Sequence, residues 1–195
     1  GFTFGNDATA YVAMGGSDAN NNKSINYTLP TLMDDLSVAV SYSGQTTATN
    51  STTAFGVTYT GVEGLSVSYG VGEAGSTTAT AAADVTTMKA SYAIGSFTAA
   101  VSNTENDLTG TGTDEEMSSW KLSYTVSDDL SVSYGEETHE TSGSSVDEEF
   151  DAVSVSYTTG GMTITAAQYN ATGLGNTAGA SNDAERWKLS TSFAF

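Results

Sequence analysis

The chain has 195 residues, enough for a single domain, and it is strongly acidic: 23 Asp and Glu against five Lys and Arg, a formal net charge of −18. That balance excludes nucleic acid as a partner, because binding phosphates requires clustered Lys and Arg. The absence of cysteine excludes a disulfide-stapled fold, and no run of about 18 apolar residues exists to form a membrane-spanning helix.

Taken from the N-terminus, residues 1–16 hold one weak alternating stretch, 8–14, as a candidate strand. Gly1 follows no leader, so any secretion signal is expected to have been removed or to lie upstream. Asp18, Asn20 and Asn22 have the start of a calcium-loop spacing, but Lys23 stands where the turn glycine belongs and Leu29 where the closing Glu belongs. From residue 24 onward, alternation predicts eleven strands, near 24–30, 35–43, 53–61, 64–72, 85–94, 96–104, 117–126, 129–137, 150–158, 161–170 and 185–195.

The strands come in repeating pairs. Tyr27, Tyr59, Tyr92, Tyr124 and Tyr157 mark equivalent positions at spacings of 32, 33, 32 and 33 residues, and Trp187-Lys188-Leu189 repeats Trp120-Lys121-Leu122, which aligns Thr191 with the tyrosines. Within each unit the rhythm is two: Trp120, Leu122, Tyr124 and Val126 alternate with Lys121, Ser123 and Thr125. Each unit is therefore a hairpin. Short turns (Gly61 to Gly64, Ile94 to Ser96, Val126 to Asp129, Thr159 to Gly161) alternate with long segments of Gly, Asn, Ser, Thr, Asp and Glu. This asymmetry predicts an all-β fold, an antiparallel transmembrane β-barrel of hairpin repeats with short periplasmic turns and long acidic outer loops, in one domain spanning 1–195.

The large side chains belong on the outside of such a barrel. Tyr27, Tyr59, Tyr92, Tyr124 and Tyr157 each stand shortly before a turn and are expected to form an aromatic girdle at one membrane interface. Phe55, Trp120 and Trp187 stand four residues higher, in a second partial ring. The apolar runs give roughly 13–18 Å of height, short of the about 25 Å of a typical band. This shortfall, with the acidic loops, motivates an alternative: a structural or adhesive surface protein whose hairpins stack into a solenoid or fibre.

Two segments carry a family resemblance. The C-terminal strand places Trp187, Leu189, Thr191, Phe193 and Phe195 at every second position, which resembles the assembly signal of bacterial outer-membrane proteins. The stretch from Ser24 through Pro30 to Tyr42 resembles the strand, turn and strand that follow the constriction loop of the general trimeric porins of Gram-negative bacteria. The resemblance implies a passive diffusion channel for small hydrophilic solutes and ions in an outer membrane, a homotrimer in contact with outer-membrane lipid, and no cofactor. On that reading residues 1–16 end the constriction loop and the eleven strands are the last eleven of sixteen, the C-terminal two-thirds of the barrel; alternatively, 8–14 is the first strand of a smaller 12-strand barrel.

Lys89 and Lys121 each sit three residues before a girdle tyrosine, and Lys188 three before Thr191, on the small polar face; Arg186 lies two residues further up. In a barrel these four line the pore, where fixed positive charge favours anions at that level while acidic loops concentrate cations at the mouth. Asp114-Glu115-Glu116 and Asp147-Glu148-Glu149 offer oxygen ligands for loosely bound Ca²⁺ or Mg²⁺, although solvated loop charge accounts for them as well. Catalysis finds no support: His139 is the one histidine and lies among acids, and Gly173-Leu-Gly175 is not followed by a helix signal.

Overall fold

The computed structural model describes residues 24–30, 33–43, 52–74, 83–108 and 112–194. The candidate strand 8–14, the rest of residues 1–16, the partial calcium-loop spacing at Asp18 and Phe195 all lie outside the described residues. Eleven strands follow one another: β1 (Ser24–Thr28), β2 (Leu36–Ser43), β3 (Thr52–Tyr59), β4 (Leu65–Ala74), β5 (Ala83–Ile94), β6 (Phe97–Leu108), β7 (Glu115–Ser127), β8 (Leu130–Thr141), β9 (Glu148–Thr159), β10 (Met162–Thr172) and β11 (Ala184–Phe193). They form one antiparallel sheet in sequence order, β1 to β11, whose first and last strands are not paired with each other among the described residues. The hairpins join edge to edge rather than stacking, which is the order of a barrel wall and not of a solenoid.

Turn chemistry sets the registers. Gly160 and Gly161 both take positive φ, 55° and 81°, in the two-residue connection that suits the right-handed twist of strands. Gly64, at φ 76°, has no room for a side chain, since a Cβ there would run into the Ala93 carbonyl. That tightness comes from a bond linking neighbouring hairpins: Ala93 N–H donates to the Gly64 carbonyl at 2.8 Å. The same stitch recurs from Thr125 to Ser96, from Thr158 to Asp129 and from Ala194 to Gly161, each at 2.8 Å.

From Tyr59 to Tyr157 successive hairpins are staggered by a constant step of two residues, whereas the row from Tyr27 runs through Val40 to Phe55, four residues before Tyr59. From Tyr59 the hydrogen-bonded row runs through Val67 to Ala90, two residues before Tyr92. From Tyr92 it runs through Ala99 to Leu122, two before Tyr124, and from Tyr124 through Val132 to Val155, two before Tyr157. Two residues of about 3.3 Å against two strand spacings of about 4.8 Å correspond to a strand tilt of roughly 35°, within the range of closed barrels.

The two faces of the sheet differ in an unusual sense. Ser41, Ala54, Ala83, Val85, Thr87, Thr104, Ala152 and Ala167, which are buried, all belong to the face of small residues, and Thr87 is 0% exposed. The large residues of the opposite face are exposed, with Trp187 at 70%, Leu189 at 74% and Phe193 at 64%. No second layer covers the small face among the described residues, so its shelter comes from curvature: side chains converge on the concave side of a curling sheet. The convex side presents a broad apolar surface that water does not solvate well and lipid does.

The strands extend further than alternation indicates. β6 continues to Leu108, β8 to Thr141, and β7 begins at Glu115. In these upper parts both faces are polar, so the alternation fades while the hydrogen-bond ladder continues, reinforced by side-chain bonds such as Asn103 Nδ2 to Glu116 Oε1 at 2.6 Å.

Candidate functional site

The concave face is a wall of small hydroxyl and methyl side chains. Its hydroxyls pair across strands: Thr58 with Ser68 at 2.9 Å, Thr87 with Thr104 at 3.0 Å, Ser133 with Ser154 at 2.7 Å and Ser156 with Thr165 at 3.1 Å. Small residues leave the space above them open. Gly135 is buried in this wall because a Cβ there would lie 2.6 Å from the Trp120 carbonyl oxygen.

All four basic candidates stand on this face. Lys89 lies between Ser68 and Ser102, and Lys121 between Ala100 and Gly135; both are half-buried. Arg186 pairs with Tyr169 and Lys188 with Ala167 on the exposed edge strand β11. The register orders them by height. Lys121 stands one constant step beyond the row of Lys89 (Ser102, Ser119), so the two are level. The same step carried from Lys121 reaches Ser154 and then Ser190, leaving Lys188 two residues and Arg186 four residues higher. The tyrosine position of the last strand correspondingly falls on Phe193, one step beyond Thr191, the row partner of Tyr157 through Ile164. The sequence alignment had placed Thr191 there because it compared strands by motif, without the stagger that only pairing reveals.

Most acids of the strands stand on the other face, while Glu115, Glu137 and Glu148 share the concave one. Glu73, Asp84 and Asp107 stand in one cross-strand row, Glu105, Glu116 and Glu140 in another, all on the convex side above the apolar residues. Like charges directly opposed in this way repel. Among the described residues no group of three or more His, Asp or Glu side chains is arranged to hold a metal ion.

The aromatic candidates lie on the convex face, with Tyr27, Tyr59, Tyr92, Tyr124 and Tyr157 exposed along its lower part and Trp187, Leu189 and Phe193 on β11. Their polar atoms reach carboxylates that the sequence reading did not single out. Trp120 Nε1 donates to Glu136 Oε2 at 3.1 Å, Tyr134 Oη to Glu136 Oε1 at 2.6 Å, and Trp187 Nε1 to Glu185 Oε1 at 3.0 Å. Indoles anchored to carboxylates, Trp120 to its cross-strand partner and Trp187 two residues up its own strand, mark an upper limit of the apolar band.

Well above that line, at the concave rim, His139 Nδ1 donates to Glu148 Oε2 at 3.1 Å while Gly175 N–H donates to Glu148 Oε1 at 2.6 Å. The Gly175 amide, and behind it His139, hold the Glu148 carboxyl below the usual carboxylate range against the opposing effect of burial. His139 Nε2 faces Glu115 at 4.0 Å. The histidine therefore joins β8 to β9 and, through Glu148, to the β10–β11 loop.

A curled antiparallel wall with an apolar outer face, a polar inner face and aromatic edges is the wall of an outer-membrane β-barrel. The chain belongs to the Gram-negative porin family, whose model matches residues 1–195. That membership assigns it to the outer membrane of a Gram-negative bacterium. Among solved structures it is similar to an anion-selective porin from Comamonas acidovorans, with a TM-score of 0.67 and 14% identity over 78% of this chain and 49% of that one. It is similar to OmpF of Salmonella typhi in complex with daunomycin, with a TM-score of 0.62 and 12% identity over 75% of this chain and 53% of that one. The in-vitro-folded OmpT of Vibrio cholerae in its trimer form gives a TM-score of 0.59 and 20% identity over 97% of this chain and 66% of that one. The chain thus spans about half to two-thirds of the length of these proteins. No curated protein matches it.

Proposed function

We propose that this chain forms the wall of a water-filled channel for passive diffusion of small hydrophilic solutes and ions across the outer membrane, working without catalytic chemistry and assembled as a homotrimer. The observation that carries the reading is the segregation of faces: the sheltered concave side holds small polar residues and four of the basic ones, while the convex side exposes the large apolar residues to lipid. We read residues 1–195 as part of one barrel domain. The trimer draws support from the OmpT structure described as a trimer form.

Within that reading Lys89, Lys121, Arg186 and Lys188 line the pore, Tyr27, Tyr59, Tyr92, Tyr124 and Tyr157 are the girdle, and Trp187, Leu189, Phe193 and Phe195 are read by the assembly machinery. The acids on the outer rim attract Ca²⁺ or Mg²⁺ loosely. Positive charge at the lumen wall raises the local concentration of anions relative to cations.

Planar-bilayer recording tests this. The purified full-length protein should give discrete conductance steps, and their absence at every voltage would overturn the channel. Replacing Lys89, Lys121 and Lys188 by Glu reverses three lumen charges and should move the reversal potential in a KCl gradient toward that of K⁺. An unchanged reversal potential would remove these lysines from ion discrimination.

A further inference from the structure

Among the described residues two aromatic side chains stand on the concave face, Phe150 of β9 and Tyr169 of β10; every other described aromatic is on the convex face or in its rows. They are diagonal neighbours, since Tyr169 pairs with Ala152 and Phe150 with Ala171. Residues in that relation are within reach of each other when aromatic. Tyr169 is paired on its other side with Arg186. Phe150, Tyr169, Ala171, Ala184 and Arg186 border a cavity of about 110 Å³ together with Asp151 and Asn170, whose side chains belong to a convex row and are hydrogen-bonded to each other at 2.9 Å.

The surroundings sharpen what fits there. The row through Tyr169 continues to Ala152, Gly135 and Lys121, so the floor beside the ring is nearly bare. The row below brings Lys188, one residue pair from Arg186 on the same strand. The nearest carboxylate on this face, Glu137, pairs with Phe150 on the side away from Arg186. A flat apolar surface beside a guanidinium, with further positive charge along the wall, matches a solute having one planar ring and one carboxylate. Arg presents paired donors to a carboxylate, and rings stack or meet edge to face with Phe and Tyr.

We propose that Phe150, Tyr169 and Arg186 form a solute-binding subsite on the channel wall selective for small aromatic monocarboxylates. The ring rests against Phe150 and Tyr169, the carboxylate is held at Arg186, and the cavity takes only part of a single ring, so the solute stays in contact with lumen water. The proposal rests on the reading of the concave face as a lumen. It predicts transient occupancy during passage, favouring aromatic over aliphatic anions.

The test uses the full-length protein in planar bilayers under KCl, with sodium benzoate or sodium acetate added to one side. Benzoate should reduce the ionic current saturably and acetate should not. Tyr169→Ala should raise the half-blocking benzoate concentration about tenfold, the loss of one aromatic contact. Phe150→Leu, which keeps apolar bulk in case truncation disturbs the wall, should weaken the block in the same direction, and Arg186→Gln should weaken it while Arg186→Lys partly restores it. Channels that conduct but respond alike to benzoate and acetate, or for which Tyr169→Ala leaves the block unchanged, overturn the subsite while the channel stands. A protein that gives no conductance overturns both.

Discussion

Gly135 shows how single residues constrain the wall. Adding a methyl group in a strand interior ordinarily helps by about 0.5–1 kcal/mol, because glycine is costly to order. Here the new Cβ would lie 2.6 Å from the Trp120 carbonyl oxygen and 3.2 Å from Lys121 Cα, both backbone atoms that cannot swing aside. Overpacking of that kind costs about 1–3 kcal/mol and wins. Gly135→Ala should therefore lower the stability of the folded protein in lipid vesicles, read as a lower urea midpoint. A midpoint at or above the wild-type value would show that the β7 backbone yields. Gly135 reads in the sequence only as one more small residue; the contact that demands it comes from the neighbouring strand.

At the scale of the strand, the convex positions of β7 run Trp120, Leu122, Tyr124 and Val126, with Leu122 between the two aromatic levels. A cation placed there must be carried to the middle of the hydrocarbon, where lipid-facing Arg costs about 2–4 kcal/mol. Leu122→Arg should cost that much in vesicle unfolding, whereas Ser123→Arg, one residue along but on the concave face, should cost far less. Equal penalties would mean that both faces meet the same medium. These strands were legible in the sequence because each middle portion alternates between large and small residues. Their upper ends were not, because Glu115 to Ser119 and Glu136 to Glu140 are polar on both faces apart from Met117, and there only pairing to neighbouring strands defines the element.

For the molecule as a whole, charge is partly sorted by face: the four described basic residues turn inward with Glu115, Glu137 and Glu148, and rows such as Glu105, Glu116 and Glu140 turn outward above the apolar band. A surface with an apolar belt below an acidic rim suits a bilayer whose headgroup region holds cations. If the wall closes in detergent, an unheated sample should migrate faster on a denaturing gel than a boiled one; identical migration would argue against a closed barrel. The grouping of Lys89 and Lys121 on the small face was legible from spacing, because both precede a girdle tyrosine by three residues. The offset of Lys188 and Arg186, and the meeting of Arg186 with Tyr169, were not, since both depend on the stagger between strands far apart in sequence.

That stagger has an evolutionary consequence. Because the hairpins from Tyr59 to Tyr157 each advance by the same two residues relative to the last, a unit of about 33 residues there is interchangeable with its neighbours in tilt, pairing and height. Duplicating or deleting one such unit would change the circumference by about 12 Å, two strand spacings measured around the tilted wall, while leaving the lipid-facing belt continuous. Pore width in such a protein would then change in whole steps, one hairpin at a time.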